Sequence, residues 1–230
     1  MNFEKIGSLA DCFMELRGQS FDADKRVEGT NLFRQAETKS FDPDKRIDPE
    51  LQLFSDLKNV FFGFNEYSFN ELDYIETNPT FIEIVKHFKL DEWQSLPDSL
   101  KKEYIKELVN RFMDLLKLDQ IPEIEYYSED DMSYGGYNGK ENKLYLNEKF
   151  LDDPMEMIDT IVHEIRHAYQ FQHALNPETY QDYLYALNYA NYIRPCDDYF
   201  GYRSQLVESE AYAFANQVKD KVSIINGGEN

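Results

Sequence analysis

The stretch Asp152–Leu175, DDPMEMIDTIVHEIRHAYQFQHAL, constrains this chain more than any other. Asp152, Asp153 and Pro154 supply start signals for a helix, because acidic residues favour its positive end and proline suits its first position. Pro177 limits how far the helix can run, since the residue before a proline is pushed out of helical geometry. Between those bounds Ile158, Ile161, Val162, Ile165 and Tyr169 recur at helical spacing and predict burial of most of the helix surface. Three of the four histidines in the chain fall on this helix, with a glutamate beside the first. A helix buried on most sides needs a reason to display His and Glu together.

His163, Glu164 and His167 form the pattern H-E-x-x-H. Residues four apart share a helix face, so two imidazoles can grip one ion at about 2.1 Å. Glu164 follows the first ligand and can reach a metal-bound water without itself ligating. The last protein ligand has three candidates in the sequence: His173, Glu208 and Glu210. His173 stands ten residues after His163, the metzincin spacing. That pattern turns the chain with a glycine, and Gln170 occupies the place of that glycine here. In a helix that simply continues, ten residues at about 100° each carry His173 off the metal-facing side.

The later stretch ESEAYAFA, Glu208–Ala215, resembles the glutamate helix of the gluzincin metallopeptidases, which reads much like E-x-E-A-D-x-F-A in the CAAX prenyl protease family. The resemblance implies Glu208 as the last metal ligand, Ala211 as a small residue beside it and Phe214 as a packing residue, with Glu210 the alternative ligand. Tyr212 stands where that family has an Asp that orients a ligand histidine, and Asp159, one turn before His163, is the alternative for that role. The resemblance runs from about Ile121 to Val218. It implies an α+β fold: a zincin-like domain with a small edge sheet, an active-site helix and a Glu-bearing helix, preceded by a helical N-terminal region.

The expected elements fit that order. LPDSLKKEYIKELVNRFMDLLKL reads as a helix with Tyr104, Ile105, Leu108, Phe112, Leu115 and Leu116 on its apolar face. IPEIEYYSE is strand-like, SYGGYNGKE carries turn glycines, and NKLYLNEKFL alternates Leu144 and Leu146 with polar neighbours as a half-buried strand does. In zincins the last strand lies at the rim of the cleft and pairs with extended substrate, a role that falls to KLYLNE. The 40 residues between His167 and Glu208 are rich in tyrosine. Tyr202, with Tyr199 as alternative, is expected to hydrogen-bond the oxyanion of a hydrolytic reaction.

The activity implied is that of a zinc metallopeptidase. Zn2+ held by two neutral imidazoles and one carboxylate keeps a position for water, and Glu164 takes the proton of that water and passes it to the leaving amine. Two other readings use the same residues: an exported effector or toxin with zinc hydrolase activity, and a regulatory module that holds zinc without turnover. Arg166 reads as a salt bridge on the helix flank.

The domain plan expected is an N-terminal arm over 1–50, a helical subdomain over 51–96 and the zincin-like catalytic domain over 97–230. In the arm, SFDADKRV at Ser20–Val27 returns as SFDPDKRI at Ser40–Ile47, six of eight positions identical. Phe81, Ile84, Val85 and Phe88 mark a buried helical stripe, with His87 beside it as a surface residue. The net charge of −20 disfavours nucleic acid and anionic membrane as partners, because both are polyanions. It favours a peptide or protein substrate of basic character. Cys12 and Cys196 do not make a disulfide framework. No basic region followed by an apolar stretch opens the chain, and no apolar run approaches the roughly 20 residues of a spanning helix. A cytoplasmic location is expected, with export by a route that uses no such signal left open. The oligomeric state is not legible.

Overall fold

A computed structural model of the chain describes residues 67–128 and 134–227. The expected arm with its duplicated segment, and residues 51–66 of the expected helical subdomain, lie outside the described residues. Those described form eight α-helices and a three-stranded sheet, so the fold is α+β as the sequence led us to expect. They group into two compact units, residues 67–172 with 209–227, and residues 173–208. No described helix is long and apolar enough to cross a membrane.

The larger unit opens with four helices, α1 (Asp73–Thr77), α2 (Pro79–Lys86), α3 (Leu90–Ser95) and α4 (Asp98–Leu115). Asn78 caps α2, its side-chain oxygen accepting from the amides of Thr80 and Phe81, and Pro79 takes the first position where no amide is needed. Phe81 then meets Phe112 of α4 edge-on with ring centroids 5.1 Å apart, and Phe88 stacks on Trp93 at 4.4 Å. Of the stripe predicted for α4, Ile105, Leu108, Phe112 and the capping Leu116 are buried and Tyr104 and Leu115 half-buried, with Val109 and Met113 filling the space beside it. Trp93 Nε1 donates to the carbonyl of Leu151 at 2.7 Å, which ties α3 to the segment leading into the long helix.

The sheet consists of β1 (Glu123–Tyr127), β2 (Gly135–Asn138) and β3 (Lys143–Asn147) in the order β1-β3-β2, with β1 parallel and β2 antiparallel to β3. Leu144 and Leu146 are buried as their alternation predicted. Two expectations need correction. The glycines of SYGGYNGKE do not make only a turn, because Gly135–Asn138 pairs with β3 as a strand. KLYLNE is therefore the central strand and not the edge, with both of its flanks already hydrogen-bonded. Glycine has low strand propensity, and that hid β2. The structure supplies the reason for Gly135: a Cβ there would stand 2.6 Å from the Tyr145 carbonyl oxygen and 2.8 Å from Thr160 Cγ2.

Thr160 belongs to the long helix α5 (Pro154–Leu175). Asp153 opens it, its carboxylate accepting from the amides of Met155 and Glu156, both at 3.1 Å. Met157, Ile158, Ile161, Val162, Ile165 and Ala168 are buried. At the far end of β2, a Cβ on Gly139 would strike the ring of Phe171. The four steps from Gly135 to Gly139 cover about 13 Å and the eleven helical steps from Thr160 to Phe171 about 16 Å, so β2 runs beside the part of α5 that carries His163 and His167.

The second unit holds the end of α5, then α6 (Tyr180–Ala190), α7 (Tyr199–Ser204) and the first residues of α8 (Leu206–Ile225). Thr179 and Asp182 form a capping box at the start of α6. Two buried amides brace the return to α8. Gln205 Oε1 accepts from Asn188 Nδ2 at 3.1 Å and from the Ile193 amide at 3.0 Å, while its Nε2 donates to the Ile193 carbonyl at 2.9 Å. Asn188 Oδ1 accepts from the Val207 amide at 2.8 Å. From Ser209 onward α8 belongs to the larger unit, where Phe214, Ala215, Val218 and Val222 join the core.

Candidate metal centre

His163, Glu164 and His167 ride on α5 at the spacing the sequence gives them. His163 and His167 turn their Nε2 atoms to within 3.0 Å of each other. Two ring nitrogens at that separation need a proton or a cation between them. Glu208 on α8 completes the group: one ligand atom from each of His163, His167 and Glu208 lies within 4.8 Å of the others. His163 is 8% exposed and Glu208 1% exposed, and burying such a carboxylate is costly unless it meets positive charge.

Donors arranged around zinc in a tetrahedron stand about 3.3 Å apart, so these side chains need only small adjustments to fit. The donor set, two imidazoles and a carboxylate, suits zinc and other first-row divalent ions alike. Among the described residues the group offers three protein donors, one fewer than the four of a closed zinc site.

Neighbouring side chains prepare the donors. His167 Nδ1 lies 2.9 Å from Gln170 Oε1. An amide oxygen only accepts, so His167 carries its proton on Nδ1 and presents a lone pair at Nε2, the form a metal requires. Tyr212 packs its ring against that of His163, with centroids 4.3 Å apart. Asp159 does not take that role through its carboxylate, which instead meets Lys219 Nζ at 3.0 Å. In the second unit the Tyr192 hydroxyl donates to Glu208 Oε1 at 2.5 Å.

The other two candidate ligands are placed elsewhere. His173 sits on a helix that runs straight on, and its Nδ1 meets Asp182 Oδ1 at 3.0 Å. Burial works to raise the Asp182 carboxyl, but the amides of Thr179 and Glu178, the Thr179 hydroxyl and His173 outweigh it and hold the group below its ordinary value. Glu210 projects about 200° from Glu208 around α8. It is spent on Arg166, whose Nε and second terminal nitrogen reach Glu210 Oε1 at 2.7 and 2.5 Å. Arg166 is indeed in a salt bridge, but one buried in the core and not on the helix flank: it is 6% exposed, and the rings of Phe69, Tyr169 and Phe214 lie 4.4–4.9 Å from its guanidinium carbon.

Glu164 is half-buried, and among the described residues no hydrogen bond or ion pair engages its carboxylate. Tyr202 is half-buried on α7 with its ring edge-on to that of Tyr192 at 6.2 Å, and Tyr199 is 58% exposed. The tyrosine whose hydroxyl touches Glu208 is thus Tyr192. Sequence reasoning missed it, since nothing local joins residues sixteen apart. Gln170 had a usable signal: it lies three residues after His167, on the same helix face. Comparison with family models, curated proteins and solved structures finds no match for this chain.

Proposed function

We propose that this chain is a zinc-dependent metallopeptidase of the gluzincin type, with His163, His167 and Glu208 as metal ligands and Glu164 as the general base. The observation that carries the reading is the convergence of two imidazoles and one buried carboxylate, from helices far apart in sequence, next to a glutamate whose carboxylate no other described residue engages. When bound there, zinc supplies a Lewis acid that acidifies water to near pH 7 and polarises a carbonyl.

The protein's own groups then do the rest. Glu164 accepts the proton of the attacking water and delivers it to the leaving nitrogen, so that the amine departs neutral. Gln170 keeps His167 in its ligating form. β2, in place of KLYLNE, offers the rim along which an extended peptide pairs, because it borders α5 from Thr160 to Phe171 and among the described residues is hydrogen-bonded within the sheet on one side only. A tyrosine hydroxyl from Tyr202 stabilises the oxyanion in this scheme. The charge of −20 favours basic peptide substrates by long-range attraction.

The test pairs metal analysis with turnover. Wild type and Glu164→Gln should both hold about one zinc per chain. Cleavage of a mixed peptide library, read by mass spectrometry, should fall by about 10²–10⁴-fold in Glu164→Gln. Equal cleavage by the two proteins, or cleavage by neither, would leave a zinc module without this chemistry.

A further inference from the structure

We propose that Tyr192 is a positioning residue for the Glu208 carboxylate, holding one of its oxygens so that the group meets the metal through a single oxygen. The proposal rests on the metal reading of the triad and adds a function to a loop tyrosine outside the pattern that suggested the site. Tyr192 lies in the turn after α6, and its hydroxyl donates to Glu208 Oε1 at 2.5 Å. A phenol donating to a carboxylate makes a short, charge-assisted hydrogen bond. It fixes the rotation of the carboxylate and draws charge off one oxygen, which opposes a two-oxygen grip on the ion and keeps the open position open.

The placement of Tyr192 is built and not incidental. The next residue, Ile193, has both backbone polar groups clasped by the side chain of Gln205, which is 1% exposed. Asn188, fully buried, donates to Gln205 Oε1 and accepts from the Val207 amide one residue before Glu208. Two buried amides therefore set the distance between the Tyr192 turn and the start of α8, and buried polar groups hold such positions only when fully bonded. The ring of Tyr192 is further flanked by Tyr189 and Tyr202, with centroids 6.5 and 6.2 Å away.

Zinc affinity of the purified full chain, measured by competition with a chromophoric chelator, tests this directly. Tyr192→Phe should bind zinc about 10- to 100-fold more weakly than wild type, the range typical of residues that orient a ligand. Tyr183→Phe, at an exposed position of α6, should match wild type. Cobalt(II) in the same proteins should show an altered visible spectrum for Tyr192→Phe alone, reporting a changed coordination number, while the metal-free proteins unfold at the same temperature. A lowered unfolding temperature with an unchanged cobalt spectrum would reduce Tyr192 to a packing residue and overturn the proposal. Equal zinc affinity in wild type and Tyr192→Phe would overturn it while leaving the metal reading intact. A wild type that binds no zinc would overturn both. A 3-fluorotyrosine placed at position 192 of the otherwise unaltered chain gives a check that does not depend on the variant: its fluorine resonance should move when zinc is added, and a resonance that stays put would count against the role.

Discussion

The side chain of Arg166 shows how one residue divides the labour of two glutamates. Its guanidinium is desolvated among three aromatic rings and depends on Glu210, with Glu71 at 3.4 Å as a second acceptor. Breaking a buried pair by neutralising one member costs about 3–5 kcal/mol, because the other charge is left without compensation. Glu210→Gln is thus expected to lower unfolding free energy in urea by that amount, while the folded fraction keeps its full complement of zinc. Glu208→Gln should do the reverse, abolishing stoichiometric zinc with a smaller effect on the metal-free protein. If Glu210→Gln lost zinc and Glu208→Gln kept it, the assignment of the two carboxylates would be exchanged. The approach of His163 to His167 is legible in the sequence because it follows from spacing on one helix. The resemblance preferred Glu208 to Glu210; what the sequence did not show is the guanidinium of Arg166, arriving from 44 residues away, that engages Glu210.

At the scale of elements, the approach of β2 to α5 depends on the absence of a single methyl group. A Cβ at Gly135 would be wedged between a backbone carbonyl oxygen and Thr160, and the carbonyl cannot yield without shifting β3. Overpacking of this kind costs about 1–3 kcal/mol. Gly136, one residue on, has nothing within 4 Å of the same position. Gly135→Ala should therefore destabilise the fold by that amount, whereas Gly136→Ala should be neutral or stabilising by up to about 1 kcal/mol, through lost freedom of the unfolded chain. Urea unfolding of both variants reads the difference. The helices α2, α4 and α5 were visible in advance, because apolar residues repeat at helical spacing between clear start signals. β2 was not: its glycines are chosen for what they leave out, and a period-two pattern needs side chains to be seen.

Over the whole molecule, 44 acidic residues face 24 basic ones. Such an excess repels itself within a folded chain, and added salt screens that repulsion. The unfolding temperature should rise between 0.02 and 0.3 M sodium chloride on the order of a few degrees, and cleavage of cationic peptides should slow over the same range. A falling unfolding temperature would show that specific ion pairs outweigh the net charge. Composition foretold this field, and the order of secondary structure foretold the α+β class. What neither carried was the division of the described residues into a larger unit and a segment, His173–Glu208, that leaves one helix and re-enters another. The bonds within that segment give it two regions of different freedom. Between Asn188 and Ile193 every residue is counted, because the amide clasp measures the chain from a fixed point to Tyr192. Between Pro195 and Asp198 the chain is exposed. Natural variants of this protein can therefore be expected to gain or lose residues at 195–198, and to keep the length of 188–193 unchanged.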